Sequence, residues 1–237
     1  MKSSNPPKPR GFSLIETVIA IGVLAVLLTG FMIVFAPAAA GIRRAISIQE
    51  ADRLASTLEQ ELVTYRGETD LNNGFEKAFK WIKESNSANT ALMVYQYRGS
   101  LAGNRADGSP DPERDAKGKL AGKDYTITSI VRRKNDSQFL ADLGAVEGGV
   151  YLVKCTQLVY NDNGELVPSG TKGEIVDPKS RAVAESADKY PEAVIAFTAE
   201  FHAMPGRSEG FLTGEAFTKF FNGSSKPVFT RNLAVRR

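Results

Sequence analysis

Between residues 17 and 40 the chain reads TVIAIGVLAVLLTGFMIVFAPAAA, without one charged side chain. As a helix this stretch is roughly 36 Å long, enough to cross a hydrocarbon core of about 30 Å with some tilt. A soluble core helix so long and apolar on every side is unusual. The pattern therefore predicts a single transmembrane segment at about 17–40. Beyond it the apolar positions thin out but keep a helical period. Ile42, Ala45 and Ile46, then Ala51, Leu54, Ala55, Leu58, Leu62 and Tyr65 recur at spacings of three and four, and Arg53, Glu59, Gln60 and Glu61 take the other face. One helix over 12–66 is expected, roughly 80 Å long, with an apolar half and an amphipathic half. Its Leu54–Leu58–Leu62 stripe is expected to be core. Pro37 deletes one backbone hydrogen bond and is expected to kink or loosen the helix. Gly67 should end it.

From residue 67 onward the period changes. Phe75, Phe79 and Ile82 predict a short amphipathic helix over 73–84. Strands are predicted at 90–98, 124–133, 149–160, 193–203 and 228–235, with a hairpin-like turn at 161–165. In the fourth of these segments Ile195, Phe197 and Phe201 alternate with Thr198, Glu200 and His202. Residues 101–123 read as a long exposed loop and 177–189 as a short helix. Strands clustered after one long helix predict an α+β fold, with an antiparallel sheet packed against the amphipathic half of that helix. The expected division is a leader at 1–11, the long helix at 12–66 and a globular head at 67–237.

Composition narrows the function. One cysteine among 237 residues excludes an intrachain disulfide framework, and one histidine excludes a multi-histidine metal site. Removing Lys2, Lys8 and Arg10 from the 30 basic residues leaves 27 against 27 acidic ones, so the chain after Gly11 is formally neutral. Counterion-driven binding to nucleic acid needs a surplus of Lys and Arg, so nucleic acid is not an expected partner. Charge does not orient the span, because Lys2, Lys8 and Arg10 on one side face Arg43, Arg44 and Arg53 on the other.

Before the span stands Arg10-Gly11-Phe12-Ser13-Leu14-Ile15-Glu16. Glu16 is out of place: an acid in lipid costs about 2.5–3.5 kcal/mol at mid-membrane and less near an end. A cut between Gly11 and Phe12 would supply a partner, a new α-amino group that ordinarily titrates at about 7.7–8.0. On staggered neighbouring copies, the carboxylate of one can meet the amine of the next and set the axial register.

A basic leader, Gly11, Phe12, an acid at Glu16 and a long apolar helix, in that order, resemble the prepilin-type signal of type IV pilins and type II secretion pseudopilins. The resemblance implies cleavage after Gly11 by a prepilin peptidase, methylation of Phe12, and subunit registration through Glu16. It implies an inner-membrane, single-pass protein with its leader in the cytoplasm and its head in the periplasm. Partners would be membrane lipid, an assembly platform in that membrane and other pilin or pseudopilin subunits, in a periplasmic or cell-surface filament. Pro37 lies later than the helix-breaking proline of many pilins, and the C-terminal disulfide of many true pilins is missing. Two other processing routes stay open. Ala38-Ala39-Ala40 before Gly41 fits the A-x-A rule for signal peptidase, although the apolar run is long for a signal peptide and opens with Glu16. A membrane anchor that is never cut is the other.

Signals for chemistry are weak. Gly206-Arg207-Ser208-Glu209-Gly210 matches G-x-S-x-G, but the lone histidine, His202, precedes the serine where that elbow needs it after. A polar turn at Ser208 and a solvated His202 are expected. Cys155 shares a strand face with Tyr151 and Val153 and reads as a small buried hydrophobe. GKLAGKD at 118–124 is one residue short of a phosphate loop and ends in Asp where Ser or Thr is required. Asp107, Asp111, Glu113 and Asp115 lack the spacing of a calcium loop and alternate with Arg105, Arg114 and Lys117. Arg231, Arg236 and Arg237 read as surface charge. No catalytic residue, metal or cofactor is expected. The function expected is that of a structural filament subunit, a minor pilin or pseudopilin. Its alternatives are a tip or anchored binding protein for an exoprotein or DNA, and a secreted protein cut after Ala40.

Overall fold

The computed structural model describes residues 13–64, 73–170, 172–223 and 225–237. The expected leader, the Gly11–Phe12 junction and the expected stop at Gly67 lie outside these residues. Helix α1 spans Leu14–Val63 and runs through Pro37 as one continuous element. Two compact units divide the chain between Ile46 and Ser47, inside α1. In the first unit the large apolar side chains, from Leu14 through Val23, Phe31 and Phe35 to Ile46, are exposed all around the helix.

In the second unit the three-and-four spacing has its consequence. Ala51, Leu54, Ala55, Leu58 and Leu62 are fully buried and form one core with Phe75, Ala78, Phe79, Trp81 and Ile82 of helix α2 (Gly74–Glu84). Asn73 caps α2 by accepting from the Glu76 amide at 2.9 Å. The sheet has seven strands: β1 (Leu92–Asn104), β2 (Pro110–Pro112), β3 (Tyr125–Arg133), β4 (Val146–Tyr160), β5 (Leu166–Pro168), β6 (Val194–Ala203) and β7 (Phe229–Arg236). All pairs are antiparallel, and the main order is β3-β1-β4-β6-β7, with β2 on the end of β1 and β5 on the end of β4.

The sheet is covered on both faces. Leu92, Val94, Val153, Cys155, Ile195, Phe197 and Phe201 meet α1 and α2. Met93, Tyr95, Tyr97, Val150 and Leu152 meet a second core, with Phe139 of α3 (Ser137–Asp142), Leu212 of α4 (Glu209–Thr213) and Phe217 and Phe221 of α5 (Glu215–Asn222). Double coverage explains why 92–97 is a nearly unbroken apolar run rather than an alternating one.

Several expectations are corrected. The loop expected over 101–123 begins four residues later and is interrupted by β2, because β1 continues to Asn104 and folds back onto β2 through the pairs Gly99↔Pro112 and Asn104↔Pro110. Gly99 permits this approach: a Cβ there would stand 2.6 Å from the Pro110 Cβ. The helix expected at 177–189 is absent. Asp177 turns the chain by accepting from the Lys179 amide at 2.8 Å and the Ser180 hydroxyl at 2.6 Å, and Val176 bridges to Val183. Arg237 is exposed, as surface charge should be, but it is tied down. Its guanidinium donates to the Ala187 and Tyr190 carbonyls, at 2.5 and 3.2 Å, and lies over the Phe75 ring. Glu61, by contrast, is not on an outer face; it is buried and pairs with the buried Lys77 ammonium at 2.7 Å.

Candidate functional site

Helix α1 starts with a reciprocal cap. The Ser13 hydroxyl accepts from the Glu16 amide at 3.3 Å, and Glu16 Oε2 accepts from the Ser13 amide and hydroxyl, both at 3.0 Å. This is a capping box, legible in the sequence as Ser-x-x-Glu, which the reading from lipid cost alone missed. A first-turn carboxylate also complements the positive end of the helix dipole. Glu16 Oε1 accepts nothing among the described residues. The acid is thus anchored by one oxygen and open at the other. Further along, the Thr29 hydroxyl donates to the Ala25 carbonyl at 2.8 Å, so this polar group needs no water.

Within the second unit, Glu50 of α1 holds the sheet. Its carboxylate accepts from the Gly149 amide at 2.9 Å and from the Tyr151 hydroxyl at 2.8 Å. Burial, then the facing carboxylate, pushes the Tyr151 phenol up. Gly148, at φ +72°, leaves the room: a Cβ there would stand 2.0 Å from Glu50 Oε1. Arg53 donates to Gln96 Oε1 at 2.5 Å.

A buried polar cluster was not foreseen. Asp142, fully buried, accepts on Oδ2 from the Tyr95 hydroxyl at 2.5 Å and from Arg132 Nε at 2.9 Å, and Arg105 approaches its Oδ1 at 2.7 Å. Arg132 also reaches Asp107, at 3.0 Å, and Asp136, at 3.1 Å. The acids of 107–115 therefore serve the fold. Asp107 takes Arg132, Asp111 lies 3.7 Å from Arg105, and Glu113 takes Lys119 at 2.7 Å. In 118–124 the Leu120 amide donates to the Asp124 carboxylate at 2.9 Å, which closes a turn.

The residues singled out for chemistry are not brought together. Ser208 caps α4, its hydroxyl accepting from the Phe211 amide at 3.3 Å. Cys155 is buried, its thiol pushed up to about 12 by desolvation. We expect thiol reagents at pH 8 to label Cys155 of the native protein roughly three orders of magnitude more slowly than in denaturant, since only the thiolate reacts. His202 is buried rather than solvated, because the Ser225 hydroxyl, 3.2 Å from Nδ1, lies against it. Burial, then nearby Lys154, holds His202 below its ordinary 6.5. A depressed histidine contributes stability above the unfolded value, lost as pH falls from about 6.5 toward the folded one. His202→Gln should therefore flatten the decline in melting temperature between pH 7 and pH 5.

Residues 7–32 match the family described as the prokaryotic N-terminal methylation motif. No curated protein and no solved structure matches the chain. The chain thus carries, at residues 7–32, the methylation signal found in type IV pilins and pseudopilins, and the long apolar helix opening at Leu14 with the antiparallel sheet after it is a pilin-like α+β architecture.

Proposed function

We propose that this protein is a structural subunit, a minor pilin or pseudopilin, of a type IV pilus or type II secretion filament. A prepilin peptidase removes the leader after Gly11 and the new terminus is methylated at Phe12. The apolar part of α1 anchors the chain in the inner membrane with the head in the periplasm. It later packs among sister subunits on the assembly platform, in a periplasmic or surface filament. Glu16 registers each subunit by pairing its free carboxylate oxygen with the amino group of Phe12 on a neighbour.

One observation carries this reading: apolar side chains exposed on every side of residues 14–46, behind the methylation motif. Such a surface needs lipid or other helices to cover it. The described nucleophiles Cys155 and Ser208 serve core and cap, which supports a structural rather than a catalytic role. The N-terminus of the protein extracted from its native membrane tests the reading. Intact mass and terminal sequencing should find N-methyl-Phe12; a start at Met1 or Gly41 overturns it.

A further inference from the structure

Strand β7 closes one side of the sheet, and its outer edge is open. The Arg237 amide donates to the Ala193 carbonyl at 2.8 Å, and pairing with β6 runs without a break from Val194↔Arg236 to Phe201↔Phe229. Hydrogen-bonded and non-bonded pairs alternate along such a ladder. Phe229, Arg231, Leu233 and Val235 therefore bond to β6, while Thr230, Asn232, Ala234 and Arg236 direct their N–H and C=O groups outward. Among the described residues, none of these outward amides donates to another main-chain group.

Natural edges are usually blunted by charge, proline or a bulge. Here Arg231 is turned aside onto Asp52 of α1, at 3.4 Å, the other charge, Arg236, stands at the far end of the strand, and β7 has neither register shift nor proline. A groove of about 320 Å³ runs inward from the edge, lined by Glu59 of α1, by residues 231–234 and, across the sheet, by Ala196 of β6, Leu158 of β4 and Leu166 of β5. Glu59 belongs to the helix packed on the face that carries Leu233, whereas Ala196 and Ala234 point to the opposite face.

We propose that the β7 edge docks an extended segment of a partner protein, which adds to the sheet as its next strand. Only an extended backbone presents donors and acceptors at the spacing this edge offers. The walls set the side chains: basic residues toward Glu59 alternate with apolar ones toward Ala234 and Ala196. The assignment goes beyond the filament reading and stands or falls separately from it.

Residue-resolved amide exchange on the full-length protein in detergent micelles tests it, with the probe peptide acetyl-(Lys-Leu)4-amide. Saturating peptide should slow exchange at Asn232 and Ala234 about tenfold or more while leaving Leu233 and Val235 unchanged. A peptide with proline at its centre should do nothing. Ala234→Pro removes an outward N–H without touching the β6 ladder and should abolish binding; Glu59→Gln should weaken it several-fold. The proposal is overturned by absence of saturable binding, by binding without protection at Asn232 and Ala234, or by amides already protected in the free protein. Protection that rises with protein concentration alone would make a second copy the occupant and overturn it too.

Discussion

Cells carrying Glu16→Ala are expected to cut the leader normally yet fail to build filaments. The loss follows from the proposed pairing of Glu16 with the Phe12 amine of a neighbour. Without the acid, each incoming subunit leaves an uncompensated ammonium at the edge of an apolar bundle. If that costs about 2 kcal/mol per subunit, each addition step weakens roughly thirtyfold, and a polymer does not survive such a penalty repeated along its length. The cap complicates the test, because alanine also removes the acceptor for the Ser13 amide, worth about 1 kcal/mol of helix stability. Glu16→Gln separates the two effects. Glutamine at that position still completes a capping box but carries no charge. Both variants should therefore lack filaments in sheared-cell preparations or by electron microscopy. If Glu16→Gln assembles normally, the acid is a cap and nothing more, and the pairing is wrong.

The largest stability effect is expected at Asp142. Asp142→Ala should destabilise the second unit by about 3–5 kcal/mol and lower its melting temperature by roughly 10 °C. The reason is what remains behind. Arg132, the guanidinium of Arg105 and the Tyr95 hydroxyl all lose the one carboxylate on which they converge. Arg132 is itself buried, so its charge cannot turn to water in place. Burial also raises the Tyr95 phenol far above its ordinary range, with Asp142 adding to the shift. The phenol therefore stays protonated and donates. Asp142→Asn, which keeps an acceptor but no charge, should fall between wild type and alanine. Near-UV circular dichroism of the full-length protein in detergent would follow the melt. A change below about 1 kcal/mol for Asp142→Ala would show that the cluster is strapped from elsewhere.

Both predictions concern charged groups, which is where sequence and structure diverge. The long helix, the three-and-four spacing of Leu54, Leu58 and Leu62, and the amphipathic α2 were legible because each depends on residues within a few positions of one another. So were the five longer strands, to within three residues of their ends except that β1 runs six residues past its expected stop. The Ser13–Glu16 cap was legible as well, since its spacing is written in the chain, but lipid cost alone drew attention to Glu16. Glu61 and His202 were misplaced because an ionisable residue on a predicted outer face is ordinarily solvated. Each is buried beside a partner distant in sequence, Lys77 and Ser225.

By itself, then, the amino-acid sequence determined a methylation signal, an apolar helix too exposed to stand in water, and a head built from strands. Local periodicity and short-range spacing suffice for all of these. Tertiary structure alone decided that the sheet would be buried on both faces, that Glu50 would clamp the sheet through Gly149 and Tyr151, and that Asp142 would gather two arginines and a tyrosine. Those outcomes rest on pairs that are mostly separated by tens of residues. Burial of a charge is tolerable only once every partner has arrived, and no local window of the chain contains them all.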